Sequence, residues 1–298
     1  MDGQRMQAIL RMSLFGPLLL LGVFACSPAL ADGLIGALTN SVRNGDYPDQ
    51  PESRPKPKSS RHFHGHGCEC LECDADSGWA EPLGWLLGIG LAAPYWGPVA
   101  AIGDDYSAVG YFPAHPYQGD AVGSMMILPH VPEEPYGWSG RASFDFGTDF
   151  NDFTSYRGKF LAETSSRFGI DGEVTYWTES LAAGGNDDLW TGDINGVFRF
   201  AQSEHWQLRS GVGVNWLDDG VDDNFGFNFT YGGDYFPVKP WVFSSELDWG
   251  RIGDAHLLHL RTTVGVTYEC GEIYAGFDYY DVGPVEISSV IAGFRVWF

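Results

Sequence analysis

From Gly140 to the carboxy terminus, apolar and polar residues alternate in runs broken by Gly, Asp, Ser and Pro. The runs are Ser143–Phe146, Arg157–Thr164, Phe168–Trp177, Trp190–Phe200 and Trp206–Trp216, then Phe225–Tyr235, Trp241–Trp249, His256–Tyr268, Glu272–Tyr280 and Val285–Phe298. A period of two puts successive side chains on opposite faces of a strand. The pattern therefore predicts about ten strands, most of them near the length a tilted spanning strand needs. The last run shows it most plainly. Val290, Ala292, Phe294, Val296 and Phe298 share one face, and Ser289, Ile291, Gly293, Arg295 and Trp297 share the other. The expected fold is all-β: an antiparallel, up-and-down transmembrane barrel, preceded by a largely irregular extension.

Parity also assigns the faces. The outer, apolar face takes Phe198, Phe200, Leu208, Val212, Val214, Phe225, Phe227, Phe229 and Tyr231, with Leu258, Leu260, Val264, Val266, Ile273 and Phe277. The inner face takes Asp193, Arg199, Arg209, Asn228, Glu246, Asp248, His259, Arg261, Glu272, Asp278 and Arg295. Trp206 and Trp216 lie on the outer parity, about 25 Å apart along the membrane normal for tilted strands, as two aromatic girdles would be. A bore of about ten strands is narrow enough for side chains to fill. Its acids and arginines are expected to pair across it and close it to bulk solutes. A soluble lipocalin-like barrel shows the same alternation with its apolar face inward. One face rich in charge and the other in large aromatics favours the membrane arrangement.

The connections are expected to differ between the two ends. Ser165-Ser166, Gln202–His205, Pro237–Pro240 and Glu269–Gly271 are short, and the even strand number puts them at the end of the carboxy terminus and the amino-terminal extension. Ser180–Asp188 and Leu217–Asn224, at the other end, look longer and are rich in Asp. Short periplasmic turns and long outer loops are the outer-membrane pattern.

Upstream, residues 1–31 read as a secretory signal: Arg5 and Arg11, an apolar run from Leu14 to Cys26, then Ala29-Leu30-Ala31 before Asp32. A lipoprotein signal at Cys26 is the rival, and the bulky Phe24 is unusual for it. Residues 32–78 form an expected flexible linker, with Pro48, Pro51, Pro55 and Pro57 in a polar stretch. The linker carries His62, His64, His66, Cys68, Cys70 and Cys73, a ligand density that suits zinc or copper. The spacing is not that of a zinc finger, and a solvated tail with oxidised cysteines is the competing reading. Residues 79–139 form an apolar, irregular pre-barrel segment. Pro82–Gly103 is uncharged, but Pro94, Pro98, Gly84, Gly88, Gly90 and Gly97 weaken a spanning helix, so it is expected to pack at the barrel mouth or lie at the membrane surface.

Composition narrows the function. With 17 Lys+Arg against 39 Asp+Glu, a nucleic-acid partner is excluded, because phosphate neutralisation needs clustered cations. A mean hydropathy of -0.14 argues against a helical membrane bundle and not against a barrel. No phosphate loop, dinucleotide fingerprint or metalloprotease helix motif is present, and no cofactor other than the tail metal is implied. For a membrane-embedded hydrolase, His259 with Ser244 or Ser288 is the available pair. Asp187-Asp188 and Asp218–Asp223 lack calcium-loop spacing and read as solvated acidic loops.

Gly293, Val296 and the terminal Phe298 resemble the carboxy-terminal signal of bacterial outer-membrane barrels, and residues 140–298 resemble small members of that class. Thr164-Ser165-Ser166-Arg167-Phe168-Gly169 and Phe112-Pro113-Ala114-His115-Pro116-Tyr117 look similar to uncharacterised planctomycete barrels. The resemblance implies lipid and the barrel-assembly machinery as partners, the latter through the last strand. It also implies an outer-membrane location with both termini periplasmic, and no known activity. A structural or surface-interaction role with a filled lumen is the leading expectation. A small-solute channel, an embedded hydrolase and a soluble binder are the alternatives.

Overall fold

The computed structural model describes residues 33–45, 92–106, 108–127, 136–182 and 184–298. Two short strands, β1 (Gly110–Tyr111) and β2 (Met126–Ile127), pair with each other. Ten longer strands follow: β3 (Trp138–Thr148), β4 (Phe153–Thr164), β5 (Phe168–Ser180), β6 (Asn186–Gln202), β7 (Trp206–Asp218), β8 (Asp223–Tyr235), β9 (Trp241–Ile252), β10 (Ala255–Tyr268), β11 (Gly271–Val282) and β12 (Val285–Trp297). Each pairs antiparallel with the next, and β12 returns to β3, which closes the barrel and leaves no edge. At that seam Phe294 faces Phe144 and Trp297 faces Arg141, and the terminal Phe298 exchanges backbone hydrogen bonds with Gly140. Gly140 gives Phe298 its place: a Cβ there would sit 2.3 Å from the ring.

The alternation places the strands correctly and underestimates their reach. Asp187 and Asp188 pair with Glu179 and Thr178, and Asp218 pairs with Asp223. The connections 181–185 and 219–222 are therefore about as short as those at the other end, and the expected contrast in loop length is absent. Backbone pairing continues into polar sequence because a side chain beyond the apolar band can point into water without breaking the ladder.

The extension departs further from expectation. Within the stretch expected to be linker, Gly33–Asn44 is a helix. Ile35, Leu38 and Val42, three and four residues apart, form its buried stripe. The Glu179 carboxylate accepts hydrogen bonds from the first-turn amides of Leu34 and Ile35, each at 2.8 Å, which satisfies donors that a helix start leaves open. Gly45, at φ 79°, ends the helix and donates to Ser41 O. The stripe packs on Phe153, Trp177, Leu189, Leu217, Ile252, Leu257, Val282 and Ile287, so the helix sits as a plug in one mouth. Arg43 pairs with Asp219 and Asp222, and Asp254 N–H donates to Val42 O, all from the connections at that end. This is the mouth opposite the carboxy terminus, whereas the extension was expected to lie wholly on the terminus side.

The terminus-side mouth is closed by residues 104–106 and 108–127. Asp104 pairs with Arg167, Tyr117 donates to Trp241 O, and Gln207 donates to Ser124 Oγ. Tyr117, Phe236, Val242 and Trp297 form a second apolar cluster there. Before this cap, residues 92–102 are helical despite two prolines. Asp104 N–H closes the helix onto Val99 O beyond Gly103, at φ 71°. The carboxy-terminal side of the uncharged run thus packs on the barrel wall: Tyr95 meets Phe200 and Tyr231 edge-on, at 5.2 and 6.4 Å between centroids. The signal, the rest of the linker and the His/Cys tail lie outside the described residues.

If the Glu179 carboxylate anchors the plug, Glu179→Ala will speed tryptic cleavage after Arg43 several-fold in the folded protein while the barrel stays resistant. Unchanged cleavage would show that the apolar stripe alone holds the helix.

Candidate functional site: the barrel interior

The interior is assembled by parity. Alternate residues of β3 to β12 point inward, and on these strands the inward set is largely charged. Phe227 is 56% exposed and its neighbour Asn228 is fully buried, which marks the wall between two environments. An ion brought into this space loses its water and needs compensating charge and hydrogen bonds, or the cost runs to several kcal/mol.

The compensation is extensive. Near the terminus side, Asp234 takes Arg141 and Arg209, each at 2.8 Å, and Arg295 meets Glu272 at 2.8 Å. Trp297 Nε1 also donates to Glu272, and the guanidinium of Arg141 lies 5.1 Å from the Trp297 ring. At mid-height Arg261 and the Tyr274 hydroxyl both donate to Asp145, at 2.5 and 2.9 Å. Lys159 lies among Glu246, Asp171 and Glu173. Higher still, Arg157 makes a two-pronged contact with Asp278 at 2.9 and 2.6 Å, and its Nε lies 2.9 Å from Glu173. His259 stacks on Tyr280, with its ring nitrogens 3.0 Å from Asp248 and 2.9 Å from Asp278. Two cavities within the interior, of about 20 and 30 Å³, each have room for a water or two. Arg141, Lys159, Arg209, Arg261 and Arg295 line the first, and Glu173, Asp193, Asp248 and His259 line the second.

The outer wall is the complement. Phe146, Tyr156, Tyr176 and Trp190 form a continuous aromatic row near the plugged mouth, with neighbouring centroids 4.9–6.4 Å apart. Phe168 with Phe198, Trp206 with Tyr235 and Phe243, and Trp138 with Phe298 form a second row towards the termini. Ile170, Val174, Ile194, Val212, Val214, Phe227 and Ile273 are among the exposed residues between them.

The sequence-predicted inner residues therefore face inward, and they meet. Arg209 reaches Glu246, Arg295 reaches Glu272, and Asp278 and Asp248 share His259. Arg199 pairs instead with Glu163, and Arg261 with Asp145. Asp193 accepts from Asn195 at 2.7 Å. Parity reasoning missed Arg157, Lys159, Asp171 and Glu173, although all four keep the inward alternation of β4 and β5. Phe200 is buried rather than lipid-facing, because Tyr95 and Tyr231 cover it.

The hydrolase pair is not assembled. Both nitrogens of His259 are engaged by carboxylates, Ser244 donates to Asp234 at 2.6 Å, and Ser288 lies on the outward parity of β12. The acidic positions do not form a calcium site either. Asp187 and Asp188 belong to a ladder, and Asp219 accepts from the N–H groups of Val221 and Asp222, both at 3.0 Å. Burial raises the Asp219 pKa, and those amides and Arg43 outweigh it, so the carboxyl titrates below its ordinary range. Among the described residues no three His, Cys, Asp or Glu side chains are arranged to hold a metal. His62, His64, His66, Cys68, Cys70 and Cys73 lie outside the described residues.

Fold and interior together define a closed ten-stranded antiparallel barrel with a charged core and an apolar outer wall. No protein-family model matches the chain, and no curated protein matches it. Among solved structures it resembles the Yersinia pestis outer membrane protein Ail in a phospholipid bilayer nanodisc, at 13% identity over 54% of this chain and 99% of that one, with TM-score 0.31. It also resembles the KdgM porin in complex with disordered oligogalacturonate (9% identity, 53% and 99% covered, TM-score 0.25). A third likeness is to the beta domain of the Bordetella autotransporter BrkA (12% identity, 53% and 97% covered, TM-score 0.28).

Arg261→Met strands the Asp145 carboxylate with Tyr274 alone. A loss of about 3–5 kcal/mol in unfolding free energy is expected, as for a broken buried pair. Adding Asp145→Leu should recover most of it. Unchanged unfolding of the single variant would mean that water already screens the pair.

Proposed function

We propose that the protein is an outer-membrane β-barrel with a structural or surface-interaction role and a filled, non-porin lumen. The observation that carries the reading is the inverted partition of the wall, charged and paired within, aliphatic and aromatic without. In water this outer surface would cost about 25 cal/mol for each Å² of apolar area left exposed. A lipocalin-like barrel turns such a surface inward. In a bilayer the same surface meets hydrocarbon, and the two aromatic rows fall where headgroups begin. The Phe298 side chain, exposed beside Trp138 at the end of the closing strand, is then the element offered to the assembly machinery. The lumen supports no solute path: ion pairs cross it, a helix plugs one mouth, and residues 104–106 and 108–127 cover the other.

Three measurements test this. The protein should fractionate with outer membranes and migrate faster unheated than boiled in detergent gels. Recovery as a soluble periplasmic protein would favour the binder instead. Deletion of Phe298 should abolish barrel assembly while secretion continues, and normal assembly would remove the role given to that residue. Purified protein in planar bilayers should give no stable porin-sized conductance. Large reproducible steps would promote the channel reading.

A further inference from the structure

The ion pairs of the bore do not balance everywhere. Asp145 with Arg261, Glu163 with Arg199 and Glu272 with Arg295 are matched one to one. Below the plug, between β5, β6 and β9, the acids exceed their partners. Glu173 and Asp193 are directly opposed on β5 and β6, an arrangement in which like charges repel. The nearest cations are already divided. Arg157 is gripped by Asp278 and reaches Glu173 at Oε1, and His259 lies between Asp248 and Asp278. Lys159 lies against Glu246, 3.4 Å from Asp171 and 3.8 Å from Glu173 Oε2. Asp193 has no ion-pair partner among the described residues, and its polar contact is the Asn195 amide at 2.7 Å.

Hydrogen bonding shows the same shortfall. Glu173 Oε1 accepts from Thr175 and Tyr280. Oε2 of the same buried side chain accepts from no group among the described residues, and neither oxygen of Asp171 does. A buried carboxylate oxygen without a donor calls for a water or an ion.

These groups meet at one space. Glu173, Asp193, Asp248, His259, Thr191 and Asn215 form the polar side of the cavity of about 30 Å³. Leu38 of the plug, with Trp177, Leu217 and Ile287, forms its apolar side. Asp193 faces inward yet is only half-buried, and it keeps free surface on this space. The other cavity makes no such demand, because Arg141, Arg209, Arg261 and Arg295, which line it, each have a carboxylate partner.

We infer that the cavity beneath the plug binds one monovalent alkali cation, held by Glu173 Oε2, Asp193 and Asp248 and enclosed by Leu38. Its oxygens are the ligands of hard cations. A divalent ion asks for several carboxylates at bonding distance, and no three acids among the described residues converge in that way. Sodium or potassium can keep part of its water, and the cavity has room for an ion and one water. The site depends on barrel closure alone, and it holds whether the outer wall meets lipid or water.

Full-length protein, folded and purified in detergent with a chelator present, is melted in choline chloride at fixed pH and ionic strength while sodium or potassium replaces choline. The readout is the temperature at which half the β-sheet circular dichroism is lost. Binding to the folded state should raise it by roughly 3–5 °C for each tenfold of cation once the site is filling. Asp193→Asn keeps the shape and removes the unpaired charge, so this variant should melt higher than the parent in choline and lose the cation dependence. Asp188 is exposed at the plug end of β6, and Asp188→Asn should keep that dependence. A full sodium effect in Asp193→Asn, or a lower melting temperature in every salt, would overturn the inference. Identical curves for the parent protein in choline, sodium and potassium would overturn it whatever the variants do. So would a response to calcium in excess of the chelator with none to sodium or potassium.

Discussion

The barrel interior holds a high density of charge away from water, and its structure depends on those charges finding one another. Arg157, Asp278, His259, Asp248 and Glu173 form one connected group contributed by β4, β11, β10, β9 and β5. No two adjacent strands could supply it. A register slip of one residue would turn every member outward and replace it with an aromatic or aliphatic side chain. The network therefore specifies register as well as filling space. Its net contribution to stability is smaller than the number of contacts suggests, because each ion was first taken out of water.

The same constraint accounts for the two ends. A charged bore open to solvent would be wetted, and its pairs weakened by screening. Apolar material closes the plugged mouth, where Ile35, Leu38 and Val42 meet Trp177, Leu217 and Ile287. The other mouth combines apolar packing around Phe236 with polar locks such as Asp104 on Arg167. Arg167 holds a left-handed backbone, at φ 74°, in a three-residue turn while its side chain bonds the cap and lies over Tyr106. Both closures come from outside the ten strands, so the amino-terminal part of the chain completes the barrel.

The outer wall and the interior are two consequences of one alternation. On β12, Phe294 and Arg295 are adjacent in sequence and belong to different solvents. The two faces also use different forces. Outside, contacts such as Trp206 on Tyr235, 4.0 Å between centroids, are broad and tolerant of substitution. Inside, the hydrogen-bonded pairs are directional, and a single truncation leaves a buried charge.

The alternation of residues 140–298 was enough to indicate about ten strands, their order in an up-and-down barrel and, Phe200 apart, the two faces, because period two is a local property of the chain. It also showed that charges would share a bore. It could not say which would pair, since Arg261 meets Asp145 and Arg199 meets Glu163 across strands whose relative heights depend on barrel closure. Nor could it give the length of the Asp-rich connections, because ladders extend wherever backbones stay parallel to a partner. The plug was hidden for a different reason. Ile35, Leu38 and Val42 are too few to stabilise a helix alone, and only the mouth formed by eight distant strands gives them a surface to bury. In the helix at residues 92–102, Pro98 offers Pro94 O no N–H, and the Tyr231 hydroxyl, more than a hundred residues away, donates to it at 2.9 Å. Local pattern set the walls of this protein, and long-range contact decided what fills and closes them.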